Sequence, residues 1–169
     1  MTRRLTWIGL LTAAASILFA LETPINLPVP WIRLGLANIV TVLVLEWWSL
    51  RETLIVVVLR SVVGSVLMGK LMHPDFVFSL VGGIAAALAM WLMVAYGKKW
   101  FGFIGVSVAG ALVKNAVQLG LAYALVVRHV YLFSILPLLF AVSLISGLIV
   151  GFLAFGVNRG FQLAVRNRG

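Results

Sequence analysis

The sequence predicts an all-α integral membrane protein, built as a bundle of six transmembrane helices, and three observations support this fold class. Of the 169 residues, 63% are hydrophobic and only 10% are charged, whereas a soluble domain carries about 25% charged residues. The apolar segments are long and unbroken, unlike the alternating pattern of an outer-membrane barrel. A spanning helix needs about 20 residues, so this length accommodates roughly six spans.

The six predicted spans follow one another with short connections, which leaves no room for a soluble domain. We therefore expect a single membrane domain over residues 1–169. The predicted spans are residues 5–21, 32–48, 52–72, 76–96, 103–127 and 132–157. The first apolar run has the flanks of a signal peptide, but it continues to Leu21 and five spans follow it, so we expect it to be retained.

The distribution of lysine and arginine predicts the orientation of these spans. With a cytoplasmic N-terminus, eight cations lie in inside segments and three in outside segments. This bias predicts that both termini are cytoplasmic and that the protein is a multi-pass protein of the cell (inner) membrane. The net charge of +9 then reflects topology, and the expected partner is the lipid bilayer rather than nucleic acid. The inside cations are Arg3, Arg4, Arg51, Lys98, Lys99, Arg159, Arg166 and Arg168.

Two cations fall inside predicted spans. At a rise of 1.5 Å per residue, Arg60 lies about 12 Å into its span and Lys114 lies near the bilayer midplane. A charge at this depth costs several kcal/mol unless it faces a partner, a cavity or water, so we expect both to point into the bundle. Asn115 and Gln118 are three residues apart and extend the polar stripe next to Lys114.

Structural roles for these cations are the alternative to a binding site. Arg60 would then form an ion pair with Glu22 or Glu46, and Lys114 would snorkel or donate to a carbonyl. The chain has only four acidic residues against thirteen basic ones. Cations left without an acid in a cavity would favour an anionic ligand, such as a carboxylate or a phosphate.

The stretch of residues 24–38, which runs from the connection after the first span into the second span and includes Gly35, contains three prolines, which keep the backbone extended. Trp31, Arg33 and Asn38 follow at the start of the second span. A rigid connection leading into a polar helix start predicts the lid or rim of a binding site. The alternative is a short interhelical loop with an interfacial tryptophan anchor. The candidate ligand-binding residues are Trp31, Arg33, Asn38, Arg60, Lys114, Asn115 and Gln118.

Sequence motifs for catalysis are missing. The chain contains one aspartate and no cysteine, which excludes an Asp-rich diphosphate–magnesium motif and a thiolate metal site. It has no phosphate-binding loop, no paired carboxylates and no Ser-His-Asp set. We therefore expect neither an enzyme acting alone nor a metal or cofactor, and an ATP-driven function would need a separate ATPase.

Several segments resemble one protein family. The run VPWIRLGLANIVT, residues 29–41, resembles the signature of the Gx transporter family, which is also called the heptaprenyl diphosphate synthase component I family. The segments LRSVVGS at 59–65, SLVGG at 79–83 and NAVQL at 115–119 are similar to further parts of the family pattern. The resemblance covers nearly the whole chain.

The chain departs from this family pattern at two positions. Family members often carry lysine where this chain has Arg33, and histidine where it has Lys114. The second difference alters the charge of the expected pocket.

The family is in turn similar to the S components of energy-coupling factor transporters. This similarity implies a six-helix bundle with cytoplasmic termini and a ligand pocket near the outer face, covered by the connection between spans 1 and 2. It also implies a small-residue face on span 1 that docks onto a transmembrane coupling subunit, with ATPases below. Gly9, Ala13, Ser16 and Ala20 match that face by position, although small residues in such rows also serve internal helix packing.

The resulting functional hypothesis is a membrane substrate-capture component of an uptake transporter, which binds an anionic or polar small molecule from the extracytoplasmic side. Two alternatives belong to other classes. One is a non-catalytic membrane subunit of prenyl-lipid (heptaprenyl diphosphate) synthesis. The other is a subunit of a membrane redox complex.

Overall fold

The protein is all-helical throughout the part of the chain that the computed structural model describes, residues 2–22, 35–97, 101–126 and 128–166. These residues form six α-helices, with a short 3-10 helix before the last. The helices are α1 (Thr2–Glu22), α2 (Asn38–Trp47), α3 (Leu50–Leu67), α4 (Pro74–Gly97), α5 (Phe103–Leu125) and α6 (Leu136–Arg166), and the 3-10 helix spans Val130–Ile135.

Three helix boundaries differ from the predicted spans by at least five residues. Helix α2 begins at Asn38 rather than near residue 32, because residues 35–37 form a turn that starts at Gly35 with φ +80°. Helix α3 ends at Leu67 rather than residue 72, since Gly69 adopts the left-handed φ of +64° that ends helices. Helix α6 continues to Arg166, where the sequence predicted a basic tail after residue 157.

Within the described ranges, four helical stretches are long and apolar enough to cross a membrane, namely Arg4–Glu22, Pro74–Gly97, Phe103–Leu125 and Tyr131–Ala164. The ten residues of α2 span only about 15 Å, half of the hydrocarbon core. Helix α3 is long enough but carries Arg51, Glu52 and Arg60. The two helices that are not among these four are α2, which is short, and α3, which contains the buried Arg60.

The bundle has an apolar outer surface and an interior rich in polar side chains. Large apolar side chains of α1 are exposed, among them Leu5 at 67% and Leu21 at 62%. The interior holds hydroxyl side chains such as Thr41, Thr53 and Ser61, all fully buried. An apolar outer surface around an interior that holds polar as well as apolar side chains fits a protein whose surroundings are lipid. The protein is therefore embedded in a membrane.

The N-terminal end of α1 and the C-terminal part of α6 lie at the same end of the bundle, which we call the termini end. An ion pair of 3.6 Å joins Arg4 of α1 to Glu52 at the start of α3. The Trp47 indole at the end of α2 donates to the Asn158 side chain of α6 at 2.8 Å, and its ring packs on Phe161. The opposite end, where α1 ends and α2 begins, is called the loop end.

Helix α5 packs between α4 and α6, and glycines allow its close approach to α6. A Cβ atom added to Gly147 would lie 2.6 Å from the Cα of Val108, and one added to Gly151 would lie 2.7 Å from the Cα of Ile104. These contacts are with the backbone of α5, which cannot move aside as a flexible side chain does. The two glycines therefore set the distance between α5 and α6.

We predict that Gly147→Ala destabilises the bundle by about 1–3 kcal/mol, because the added methyl group overlaps the α5 backbone. The measurement is thermal unfolding in detergent. Gly156→Ala on the same helix is the matched control, since no atom lies within 4 Å of its added Cβ, and it should leave stability unchanged or slightly raised. Equal stability of the two variants would contradict the close packing of α5 on α6.

Candidate functional site

A small polar cavity lies near the loop end, where α1, α2, α3, α4 and α5 meet. Its free space holds roughly one water molecule, so side chains fill most of the site. Both intramembrane cations that the sequence singled out line this cavity, and they meet there rather than point apart. The lining residues are Phe19, Glu22, Gly35, Ala37, Asn38, Arg60, Ser79, Lys114 and Gln118.

Arg60 is a deeply buried cation of the cavity, with 4% of its surface exposed. Its Nη2 donates to Oδ1 of Asn38 at 3.0 Å. Its Nε and Nη1 are buried and have no hydrogen-bond partner among the described residues. A guanidinium offers five N–H donors, and an unmet donor in a buried site costs free energy. The arginine is therefore incompletely satisfied in this state.

Glu22 lies at the end of α1 and brings one negative charge to the cavity. It is 3% exposed, and its carboxylate accepts a hydrogen bond from the backbone N–H of Gly35. It also interacts electrostatically with Arg60. The hydrogen bond joins the end of α1 to the turn before α2, on either side of the connection between them.

Gly35 occupies a position that other residues fill poorly. Its φ of +80° lies in the left-handed region, where a side chain is strained. A Cβ atom there would lie 3.0 Å from Nδ2 of Asn38 and 3.2 Å from Nζ of Lys114. Glycine thus allows the backbone to approach Asn38 and Lys114 at the cavity.

Lys114 and Gln118 are four residues apart on α5 and face the cavity together. Gln118 donates through Nε2 to the backbone carbonyl of Phe78 on α4 at 3.2 Å, which fixes its amide. Its Oε1 is buried and has no partner among the described residues. The cavity therefore offers a hydrogen-bond acceptor as well as the donors of Arg60.

Asn115 does not join these residues. Its Nδ2 donates to Oγ of Ser143 on α6 at 2.7 Å, and Ser143 donates to the carbonyl of Leu139 at 2.6 Å. It lines a separate cleft between α5 and α6, together with apolar residues such as Phe140. The predicted polar stripe on α5 thus divides into two faces.

The remaining candidates fall outside the cavity or outside the described chain. Trp31 and Arg33 lie outside the described residues. The four small residues of α1 do not form a uniform outer face. Gly9 and Ala13 are exposed and Ala20 is partly buried, whereas Ser16 is 1% exposed and donates to the carbonyl of Thr12 at 2.8 Å.

Sequence reasoning did not assign Glu22 or Gly35 to the site. The sequence indicates Glu22 only as an ion-pair partner of Arg60, and Gly35 only as part of the start of the second span and of the family signature. Glu22 is the one acid next to the proline-containing connection, which was the available signal for it. Glu46, the other ion-pair candidate, lies at the end of α2 at the termini end, away from Arg60.

The charges of the described lining residues sum to one positive charge, from Arg60 and Lys114 against Glu22. The N-terminus of α2 also lies at the cavity and adds partial positive charge. Among the described residues no cluster of three His, Cys, Asp or Glu side chains is present that would hold a metal ion. The arrangement is suited to holding a polar molecule with negative charge.

Taken with the apolar outer surface, this cavity defines the class as an all-helical membrane protein with a buried, positively charged polar site. The sequence model of the family "Heptaprenyl diphosphate synthase component I" matches residues 11–157. The chain belongs to this family. No curated protein matches the chain.

We predict that Asn38→Leu and Arg60→Met each destabilise the protein by about 1–3 kcal/mol, because each leaves the other side chain without its hydrogen bond. The double variant should lose less than the sum of the two, since both partners become apolar and Glu22 keeps its bond from Gly35. Unfolding of all four proteins in detergent measures this coupling. Strict additivity would show that the bond between Arg60 and Asn38 contributes nothing.

Proposed function

We propose that this protein is the substrate-capture component of a small-molecule uptake system in the cell (inner) membrane. In this proposal the polar cavity binds a polar or anionic molecule that arrives from the extracytoplasmic side. The protein then presents the molecule to a transmembrane coupling subunit with associated ATPases. The observation that carries the proposal is the buried Arg60, whose Nε and Nη1 have no partner among the described residues, in a cavity near one end of the bundle.

The energetic cost of this arrangement argues for a role beyond stability. A buried arginine in a membrane bundle is expensive, and replacing a buried polar pair with apolar residues is often neutral or stabilising. An arginine that served packing alone would be expected to use its donors within the protein. Donors without partners at a cavity are what a binding site provides before its ligand is bound.

The topology that we propose has six spans and both termini in the cytoplasm. Support comes from the termini end, where the start of α1 and the end of α6 lie together. Six crossings return the chain to its starting side. In this topology the inside segments hold most of the lysine and arginine residues, and the polar cavity lies toward the outer face.

A second candidate function is a non-catalytic membrane subunit of prenyl-lipid synthesis, which the family name favours. The cleft between α5 and α6 is the feature that suits it. This cleft combines the apolar side chains of Leu136 and Phe140 with the amide of Asn115. A prenyl chain would contact the apolar part, while a polar head group would meet Oδ1 of Asn115, which has no partner among the described residues.

We predict that Lys114→Ala abolishes retention of the captured molecule while the bundle stays folded, because the variant removes a cation of the cavity. Retention is measured as the small molecules released by denaturing the purified protein and detected by mass spectrometry. Lys70→Ala is the control, since Lys70 pairs with Asp75 at 3.3 Å outside the cavity. Full retention by the folded Lys114→Ala protein would remove Lys114 from the site.

Co-purification distinguishes the functional classes. We expect the protein, extracted in mild detergent from its native membrane, to carry a transmembrane coupling subunit and ATPases. A soluble prenyl synthase in their place would support prenyl-lipid synthesis instead. Flavin-bearing membrane proteins would support a redox complex, and either result would contradict capture for uptake.

A further inference from the structure

We propose that the molecule bound in the polar cavity is a monocarboxylate that also carries a hydrogen-bond donor, and not a phosphate or diphosphate. This inference rests on the proposed capture function and specifies its substrate class. It depends on two features of the described lining residues, namely their summed charge and the identity of the buried atoms without partners.

The first feature is the charge of the cavity. Arg60 and Lys114 contribute two positive charges, and the buried Glu22 contributes one negative charge. One added negative charge brings this set to neutrality. A molecule with two or more negative charges would leave an uncompensated charge in a site shielded from water, which is strongly unfavourable. The charge count therefore favours a monoanion.

The second feature is the geometry of the unmet groups. Nε and Nη1 of Arg60 are donors that lie on different sides of the guanidinium, because Nη1 is on the Cδ side and Nε–H points to the Nη2 side. A carboxylate therefore binds through parallel N–H groups to one of them together with the second N–H of Nη2. The Asn38 amide occupies Nη2 from one side and orients the guanidinium. The carboxylate of the ligand therefore belongs at Arg60, where it would meet donors that the described part of the protein leaves free.

Gln118 adds a preference for a ligand that carries a hydrogen-bond donor. Its Nε2 is bound to the carbonyl of Phe78, so its free Oε1 can only accept a hydrogen bond. A ligand that places an N–H or O–H group there satisfies this acceptor, and a ligand without a donor leaves it without a partner among the described residues. Simple fatty acids lack such a group and are therefore poor candidates.

Binding in this cavity also requires lining side chains to move. The free space at present is close to that of one water molecule, so binding has to displace side chains. Lys114 is one of the side chains that fill the site, with its Cγ next to Gly82 and its Nζ next to Gly35.

The test is the identity of the small molecules that wild-type protein retains. Wild type and the Asn38→Leu/Arg60→Met double variant are purified in parallel without added ligand, denatured in organic solvent and analysed by liquid chromatography and mass spectrometry. Lipids and detergent are expected in both samples, so they are not enriched in wild type. We expect the compound enriched in wild type to contain one carboxylate, no phosphate, and at least one N–H or O–H group.

The outcomes separate this inference from the proposed function. An enriched phosphate, diphosphate, dicarboxylate, neutral compound or cation overturns the monocarboxylate assignment and leaves capture intact. An equal set of compounds in both proteins overturns capture, and the substrate class fails with it.

A variant that changes the charge of the cavity tests the charge argument independently. Glu22→Gln raises the summed charge of the described lining residues from one to two, so it should increase the retained ratio of dianions to monocarboxylates at least tenfold. Folding is checked by gel filtration in detergent. A ratio equal to that of wild type in the folded variant would contradict the role of Glu22 in selecting a monoanion.

Discussion

The hydrogen bond between Arg60 and Asn38 is the interaction on which the rest of the site depends. It joins α3 to the first residue of α2, inside a bundle whose outer surface faces lipid. In such surroundings a charge without partners is costly, and the guanidinium has to be held by fixed dipoles rather than by water. The bond therefore orients Arg60 and also constrains where α2 begins.

The second constraint is the junction between α1 and α2. Glu22 ends α1, Gly35 begins the turn before α2, and a hydrogen bond connects them. This bond brings a carboxylate within electrostatic reach of Arg60 and places the left-handed Gly35 beside Lys114. The same junction that closes the loop end thus determines the charge of the cavity.

The sequence predicted the class, the helices and the inward orientation of Arg60 and Lys114, because burying a charge in lipid has a large cost that any bundle must avoid. The sequence predicted the site less accurately where the angular position of a residue on its helix decides which helix it contacts. Asn115 was grouped with Lys114, but adjacent residues on a helix lie about 100° apart, so Asn115 faces α6 instead. Residue 118 is four positions from Lys114 and shares its face.

Helix periodicity could not predict contacts between residues that are far apart in the chain. The bond from Gly35 to Glu22 depends on the path of the chain between α1 and α2, which no local pattern encodes. The short length of α2 likewise follows from the turn at Gly35 rather than from hydropathy. The family assignment agrees with the resemblance seen in the signature around residues 29–41, whereas the ligand and partners follow only from the proposals made above.

The most direct test of a ligand-binding role for Arg60 is native mass spectrometry of the wild-type protein and the Asn38→Leu/Arg60→Met double variant, both released from detergent without added ligand. The account predicts a discrete small-molecule adduct on the wild-type protein and a bare mass for the double variant, with both proteins folded. A bare wild-type protein, or the same adduct on both, would contradict it and would leave the buried arginine with a structural role alone.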